Sequence, residues 1–228
     1  WMTEGAPALD PHRVDIARFY PHQKQDDIVE SRCAEIAQKV YTPAVHPREP
    51  FATSRERFVS PFYEREVALG GYFMEIKGWE RAHGYRANEA TLLAKYRDRV
   101  PAREHEWDSR HFWEVSNAEH LELSESVGMI NLSHFAIYDI AGPDAESLLE
   151  YLSVARVGGP TPVGKGVYTH FLDENGGIKA DLTIVRLDAT SFRVICGGDT
   201  GHRDLVWIQR MAAARGADIT LLNQTHRL

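Results

Sequence analysis

Two side chains that could take part in chemistry, Tyr168 and Asp181, lie in the segment from Tyr168 to Leu187, and a turn separates them. Residues 173–177 read Asp-Glu-Asn-Gly-Gly, the strongest turn signal in the sequence, because Asn and Gly tolerate the positive φ angles of tight hairpins. β-Branched and aromatic residues on both sides of this turn predict two paired strands. Asp181 stands at the start of the second strand, directly before an apolar run. A carboxylate there is either a solvated turn residue or a charge held in the wall of a pocket, and the pattern leaves both open.

The elements that must position this hairpin alternate in type along the second half of the chain. Besides the two strands of the hairpin we predict strands at residues 129–140, 191–196 and 217–222, and helices after the Gly142-Pro143 turn and at residues 204–215. The order is therefore strand, helix, strand pair, strand, helix, strand. It predicts an α+β fold with a ferredoxin-like, mostly antiparallel sheet and helices on one face, preceded by an irregular connecting segment.

The first half of the chain carries weaker signals. Helical spacing of apolar residues predicts helices at residues 27–41 and 112–128, and shorter helical pieces at 14–19 and 88–97. Pro43, Pro47 and Pro50 predict an extended connector. Residues 55–79 read as an irregular, aromatic-rich stretch.

Composition excludes several classes of partner. The 228 residues carry a formal net charge of -7, which argues against a nucleic-acid footprint or an anionic membrane surface. No apolar run approaches the ~20 residues of a membrane span. The two cysteines, Cys33 and Cys196, form no CxxC pair, and no paired Cys/His spacing predicts a metal site. We expect a reduced compartment, the cytoplasm or alternatively the mitochondrial matrix.

The hairpin resembles a strand of a known family. Residues 176–185, GGIKADLTIV, are similar to the GG-x-x-x-D-[LI]-x-V strand of the folate-binding domain shared by the glycine-cleavage T-protein, an aminomethyltransferase, and the dimethylglycine and sarcosine dehydrogenases. The resemblance implies that Asp181 faces the pterin of tetrahydrofolate and that Tyr168 contacts it. It also implies one-carbon transfer, in which a tetrahydrofolate nitrogen attacks an iminium-type carbon. Asp181 would be the catalytic residue: it would orient the pterin, stabilise the passing positive charge and take a proton.

The same resemblance assigns further residues to the folate site. Phe135 and Ile195 would be apolar walls of the pocket. An Asn commonly occupies the position of Gly197 in the T-protein, so here we expect backbone to replace that side-chain contact. Residues 128–135 are similar to the family's G-[LM]-[FI]-D-[LV]-S-x-[FM] run, with Asn131 in place of the usual Asp. His134 and His170 are left unassigned.

The first 81 residues resemble the same dehydrogenases upstream of the folate module. The end of their flavin domain is matched by Trp1, Gly5, Pro7, Asp10, Asp15, Ile16, Arg18 and Phe19. Their connecting domain is matched by His46, Pro47, Arg55, Arg57, Ser60, Pro61, Tyr63, Gly78, Trp79, Glu80 and Arg81. We interpret these residues as structural, with Trp79 an anchor rather than a catalyst. The glycine-rich dinucleotide fingerprint is absent, so we expect FAD only in the full-length protein and not in this chain.

The resemblance predicts three segments and three competing functions. Residues 1–20 would be the tail of an FAD-dependent oxidoreductase domain, 21–105 a connecting domain and 106–228 the N-terminal part of the folate-binding domain. Both ends read as truncations, so the chain alone is expected to be incomplete and inactive.

The first hypothesis is that the chain is part of a flavin-dependent N-methylglycine dehydrogenase, whose partners are folate, an N-methyl amine and the upstream FAD domain. The others are a stand-alone folate-dependent aminomethyltransferase, methyltransferase or demethylase, and a non-catalytic regulatory relative.

Overall fold

A computed structural model describes residues 14–40, 50–105, 108 and 111–225, which fall into two compact units. One unit spans residues 21–133, and the other joins residues 1–20 to 134–228. Some residues that carry the sequence resemblance lie outside the described part of the chain, namely Trp1, Gly5, Pro7, Asp10, His46 and Pro47. Pro43, at the start of the predicted connector, also lies outside it.

The unit formed by residues 21–133 is mostly helical around one hairpin. After a short 3-10 turn at Pro21–Lys24, its elements are α1 (Asp26–Val40), α2 (Tyr63–Ala68), β1 (Gly71–Ile76), β2 (Trp79–Tyr85), α3 (Arg86–Asn88), a π-helical turn (Glu89–Leu93), α4 (Ala94–Tyr96) and α5 (Trp113–Glu125). The helices predicted at 27–41, 88–97 and 112–128 are confirmed within a few residues.

The sequence prediction missed the β1–β2 hairpin, which lies partly in the stretch expected to be irregular. The two strands pair antiparallel and end with Ile76 opposite Trp79. The turn between them has positive φ at both positions, 50° at Lys77 and 96° at Gly78. A two-residue hairpin turn needs this geometry, but Lys rarely adopts it, so no turn was predicted here from residue types.

A buried ion pair joins this hairpin to the loop before α2. Glu80 is 3 % exposed and accepts two hydrogen bonds from Arg55, each 2.6 Å long, and one of 2.9 Å from the backbone N–H of Glu56. Burial would raise the pKa of Glu80, but the hydrogen bonds from Arg55 and Glu56 outweigh it and lower the pKa. Next to the pair, Trp79 is 1 % exposed, with its ring 4.0 Å from that of Phe58. Trp79 is therefore the structural anchor that the sequence predicted.

The segment at residues 129–135 is not a strand, contrary to the prediction, and β3 begins only at Ala136. Asn131 accepts hydrogen bonds from both the backbone N–H and the hydroxyl of Ser133, at 3.0 and 2.6 Å, and donates to the Ser60 hydroxyl at 3.1 Å. These contacts hold a turn and remove the residues before it from strand pairing. Asn131 thus has a structural role within the unit of residues 21–133.

The other unit is a five-stranded antiparallel sheet with two helices. Its elements are a 3-10 turn (Ile16–Arg18), β3 (Ala136–Ala141), α6 (Ala145–Leu152), β4 (Gly166–Leu172), β5 (Ile178–Arg186), β6 (Ser191–Cys196), α7 (Gly201–Arg215) and β7 (Thr220–Asn223). The strand order is β4-β5-β6-β3-β7, and every neighbouring pair is antiparallel. The elements β3-α6-β5-β6-α7-β7 form the ferredoxin-like frame and β4 adds an edge strand, so the predicted α+β fold is confirmed.

The core of this sheet lies on one face only, because residues of a strand alternate between faces. Both helices pack on that face, where the buried residues include Ala136, Tyr138, Ile140, Leu148, Leu149, Leu152, Phe171, Ala180, Leu182, Ile184, Phe192, Val194, Cys196, Ile208 and Ala212. The remaining residues of the strands form the opposite face, which we call the open face. The candidate site lies there.

No helix among the described residues combines the length and apolarity needed to cross a bilayer. Within the same residues no cluster of three or more His, Cys, Asp and Glu side chains is arranged to hold a metal ion. Cys33 is exposed and Cys196 is buried, and both thiols are free.

Candidate active site

Strand register brings the candidate residues together in two neighbouring rows on the open face. In the first row Tyr168 lies opposite Thr183, Thr183 opposite Ile195, and Ile195 opposite Ile137.

In the second row His170 of β4 lies opposite Asp181 of β5. In the adjacent core-facing position Cys196 pairs with both Leu182 and Ala136, so their chain neighbours Asp181, Gly197 and Phe135 lie level with one another. Gly197 follows Cys196 and Phe135 precedes Ala136, so both stand at the end of this row. All five residues that the sequence assigned to the site therefore lie in one unit, on or at the end of adjacent strands.

Tyr168 and Asp181 are in direct contact. The Tyr168 hydroxyl donates a hydrogen bond of 3.3 Å to Oδ2 of Asp181. Both residues are exposed, Tyr168 to 62 %. Desolvation and the nearby Asp181 carboxylate raise the pKa of Tyr168, which keeps the phenol in its hydrogen-bond-donating form. The pair presents an aromatic surface, a hydroxyl and a carboxylate to whatever binds this face.

A β-bulge lies two residues before Asp181. Phe171 pairs with Ala180 and Leu172 pairs with Ile178, which leaves Lys179 as the extra residue. The Lys179 ammonium lies 4.5 Å from the centre of the Trp207 ring, and its backbone carbonyl accepts a hydrogen bond of 2.9 Å from Arg203. Bulges bend a strand and redirect the side chains that follow. The bulge thus separates the cation of Lys179 from the carboxylate of Asp181, although two positions apart they would share a face of a regular strand.

His170 was left unassigned by the sequence and lies beside the pair. It is opposite Asp181 in the register, and its ring makes an edge-to-face contact of 5.4 Å with Tyr168. Directly opposed residues of antiparallel strands have neighbouring side chains. His170 therefore belongs to the candidate site, and only the cross-strand register reveals it.

At Gly197 the candidate site presents only backbone, because glycine has no side chain. A Cβ at this position would lie 3.0 Å from Oδ1 of Asp199, so a larger residue would displace that side chain. The Gly197 carbonyl accepts a hydrogen bond of 3.1 Å from the backbone N–H of Thr200. This hydrogen bond closes the turn from β6 into α7.

A third row of the open face contains an ion pair. Asp139 accepts hydrogen bonds of 2.8 and 3.0 Å from Arg193, which lies opposite it, and one of 3.3 Å from Gln224. The hydrogen bonds from Arg193 hold the pKa of Asp139 below its ordinary value. Arg193 is thus engaged by Asp139 rather than by the carboxylate of Asp181.

A further carboxylate, Asp204, is buried beneath the β6–α7 turn. It is 1 % exposed, accepts 2.7 Å and 3.0 Å bonds from Thr200 and Arg203, and contacts the buried thiol of Cys196. Burial outweighs these partners and raises the pKa of Asp204 from 3.8 to about 6.

The raised pKa of Asp204 predicts a pH-dependent stability. Between pH 3.8 and about 6 the folded state holds a proton on this carboxyl that the unfolded state lacks. The stabilisation from Asp204 therefore grows as pH falls through 6 and is lost as pH rises. Urea unfolding of the wild type and Asp204→Asn should show the wild type gaining about 2 kcal/mol relative to the variant between pH 7 and pH 4. Parallel pH profiles would contradict the buried, protonated carboxyl.

Family comparison matches the chain in two consecutive parts. Residues 4–60 match the FAD dependent oxidoreductase central domain, and residues 62–228 match the GCVT N-terminal domain. The second match covers most of the chain and all of the candidate site. The chain belongs to the GCVT N-terminal domain family.

Individual relatives are enzymes and one regulatory protein. The chain is 30 % identical over 220 residues to 4-methylaminobutanoate oxidase (formaldehyde-forming) of Paenarthrobacter nicotinovorans, covering 96 % of this chain and 25 % of the oxidase. It is 29 % identical over 212 residues to the mitochondrial pyruvate dehydrogenase phosphatase regulatory subunit of Mus musculus, covering 92 % and 23 %. It is 37 % identical over 165 residues to the aminomethyltransferase of Bordetella avium, covering 71 % and 37 %. The chain thus spans 23 % to 37 % of the length of these relatives.

A solved structure supports the fold. The crystal structure of glycine cleavage system aminomethyltransferase T from Bartonella henselae matches with a TM-score of 0.52 and 19 % identity, covering 72 % of this chain and 37 % of that one. The predicted T-protein-like fold is therefore confirmed.

Proposed function

We propose that this chain supplies the tetrahydrofolate-dependent one-carbon transfer portion of a flavin-dependent N-methylglycine dehydrogenase, of the dimethylglycine or sarcosine type. One observation supports the proposal: the Tyr168 hydroxyl donates a hydrogen bond to Asp181 on the open sheet face of a GCVT N-terminal domain. The adjoining match to an FAD dependent oxidoreductase central domain supports an oxidase partner in the same polypeptide. A stand-alone aminomethyltransferase does not account for that match.

The open face has the chemistry that a pterin requires. A pterin is a flat aromatic ring with amine and amide hydrogens. The face offers apolar area at Ile195, the ring of Tyr168 and the Asp181 carboxylate as a hydrogen-bond acceptor, and Phe135 lies at the end of the row of Asp181. Tetrahydrofolate would supply the nitrogen nucleophile that accepts the carbon unit. Asp181 would accept hydrogen bonds from the pterin, counter the positive charge of an iminium-type carbon and take up the proton released as the new C–N bond forms. Tyr168, by donating to Asp181, would hold that carboxylate in place.

FAD has no assigned residue in this chain. Its redox chemistry, oxidation of an N-methyl amine to the iminium, would belong to the upstream flavin domain in the complete protein. The residues described for this chain would act only after that oxidation.

Product analysis tests the proposal. The complete gene product should oxidise dimethylglycine or sarcosine and release formaldehyde when folate is absent. With tetrahydrofolate added, the carbon should be recovered as methylenetetrahydrofolate and free formaldehyde should fall by most of its amount. Formaldehyde release that does not respond to tetrahydrofolate would refute the transfer function.

A regulatory function is the second candidate. The similarity to the pyruvate dehydrogenase phosphatase regulatory subunit favours it, since that match covers 92 % of this chain. It predicts neither amine oxidation nor folate binding by the complete protein, so the same assay separates the two candidates.

A further inference from the structure

A short N-terminal segment is built into the sheet unit beside the candidate site. Residues 14–20 belong structurally with residues 134–225, although they lie within the match to the FAD dependent oxidoreductase central domain. Asp15 caps the 3-10 turn by accepting a hydrogen bond of 2.9 Å from the Ala17 N–H, and pairs with Arg210 of α7 at 3.3 Å. Ala17 is 6 % exposed. The segment is therefore fixed along α7 before the chain leaves this unit at Pro21.

Tyr20 ends this segment and reaches the β6–α7 turn. It is 8 % exposed, and its hydroxyl donates a hydrogen bond to the backbone carbonyl of Gly198. Its ring lies 5.8 Å from the ring of His202 in the first turn of α7.

The β6–α7 turn has no space for a side chain at Gly201, where the Tyr20 hydroxyl packs. A Cβ on Gly201 would lie 2.8 Å from the Tyr20 hydroxyl oxygen and 2.3 Å from the Cβ of Ala136. Any other residue at Gly201 would therefore displace the phenol from the turn. The Tyr20 hydroxyl is therefore closely packed against the first residue of α7.

The hydrogen bond matters because the peptide it holds, between Gly198 and Asp199, directly follows two glycines. Gly197 and Gly198 lack side chains, so their backbone has more conformations available than any other pair of residues. The Gly197 carbonyl is held from within the turn by Thr200, through its N–H at 3.1 Å. The Gly198 carbonyl is held by Tyr20, from a segment 178 residues away in sequence.

We infer that Tyr20 is a positioning residue for the pterin-facing backbone of the candidate site. Its hydroxyl fixes the orientation of the Gly198–Asp199 peptide, which directly follows Gly197 at the end of the row that contains Asp181. The inference rests on the proposed function, since it assigns the partner of that backbone as a folate. It adds that a residue from the preceding flavin-type segment, and not only the folate domain, shapes the site.

The test uses the complete gene product and three variants. Tyr20→Phe removes the hydroxyl and keeps the ring. Tyr96→Phe is the matched control, because Tyr96 is 2 % exposed and donates a hydrogen bond of 2.8 Å to Glu122 in the other unit. Asp181→Asn reports on the proposed folate site itself. Each protein is titrated with tetrahydrofolate, and amide hydrogen exchange is measured at residues 198–201 without ligand.

Tyr20→Phe should weaken tetrahydrofolate binding about 5- to 10-fold, the loss expected for one hydrogen bond, and should speed exchange at residues 198–201 by a similar factor. Tyr96→Phe should change neither. Unchanged exchange in Tyr20→Phe, or faster exchange with unchanged affinity, would overturn the positioning role. If the positioning role fails but Asp181→Asn still binds tetrahydrofolate more weakly, the proposed function stands without a role for Tyr20. A wild-type protein that binds no tetrahydrofolate would refute both.

Discussion

Asp181→Asn should lower kcat for methylenetetrahydrofolate formation by about 10²–10³-fold, while oxidation of the amine proceeds at the wild-type rate. Asparagine keeps the shape of the side chain and can still accept a hydrogen bond from Tyr168. It lacks the negative charge that would counter an iminium carbon and cannot take the proton released on transfer. The carbon that is oxidised but not transferred should then appear as free formaldehyde. The measurement is product analysis under saturating tetrahydrofolate.

Glu174→Gln is the control for this prediction. Glu174 is an exposed carboxylate in the turn of the same hairpin, so its replacement changes the net charge equally without touching the open face. It should leave transfer unchanged. Equal transfer rates in Asp181→Asn and Glu174→Gln would mean that the Asp181 carboxylate is a solvated strand residue and not a catalytic group.

The largest expected effect on stability comes from Glu80→Ala, in the unit of residues 21–133. The substitution leaves the partly buried guanidinium of Arg55 and the N–H of Glu56 without their shared acceptor. Breaking a buried ion pair by removing one partner costs about 3–5 kcal/mol in free energy of unfolding. Urea unfolding followed by tryptophan fluorescence reports on it directly, since Trp79 adjoins the pair.

An exposed ion pair in the same unit provides the comparison. Asp27 pairs with Arg57 at 2.8 Å, but the two side chains are 58 % and 48 % exposed. Asp27→Ala should cost no more than about 1 kcal/mol, because water screens such pairs. If Glu80→Ala costs as little as Asp27→Ala, the Arg55–Glu80 pair does not hold the hairpin.

The fold could be predicted where local chemistry and hydrophobic period agree. Residues 173–177 predict a hairpin from their turn-forming types. Gly216, with φ of 61°, ends α7 as a C-cap glycine. The prediction failed where a residue adopts a conformation that its type disfavours, as Lys77 does in the β1–β2 turn. It also failed at residues 129–135, where β-type composition is overridden by the Asn131 turn.

The candidate site could be predicted in part from a motif, but its geometry could not. The GG-x-x-x-D spacing singles out Asp181, and Tyr168 follows from the same comparison. The bulge at Lys179 and the placement of His170 opposite Asp181 depend on cross-strand register, which a single strand does not encode. The contacts of Tyr20 with Gly198, and of Arg55 with Glu80, join residues distant in sequence and appear only in the folded chain.

Isothermal titration of tetrahydrofolate into the complete wild-type protein and its Asp181→Ala variant tests the central claim most directly. If the open face of the sheet holds the pterin against the Asp181 carboxylate, the wild type should bind and the variant should bind at least about tenfold more weakly, as expected for loss of a charge-assisted hydrogen bond. Equal affinities for the two proteins would contradict it.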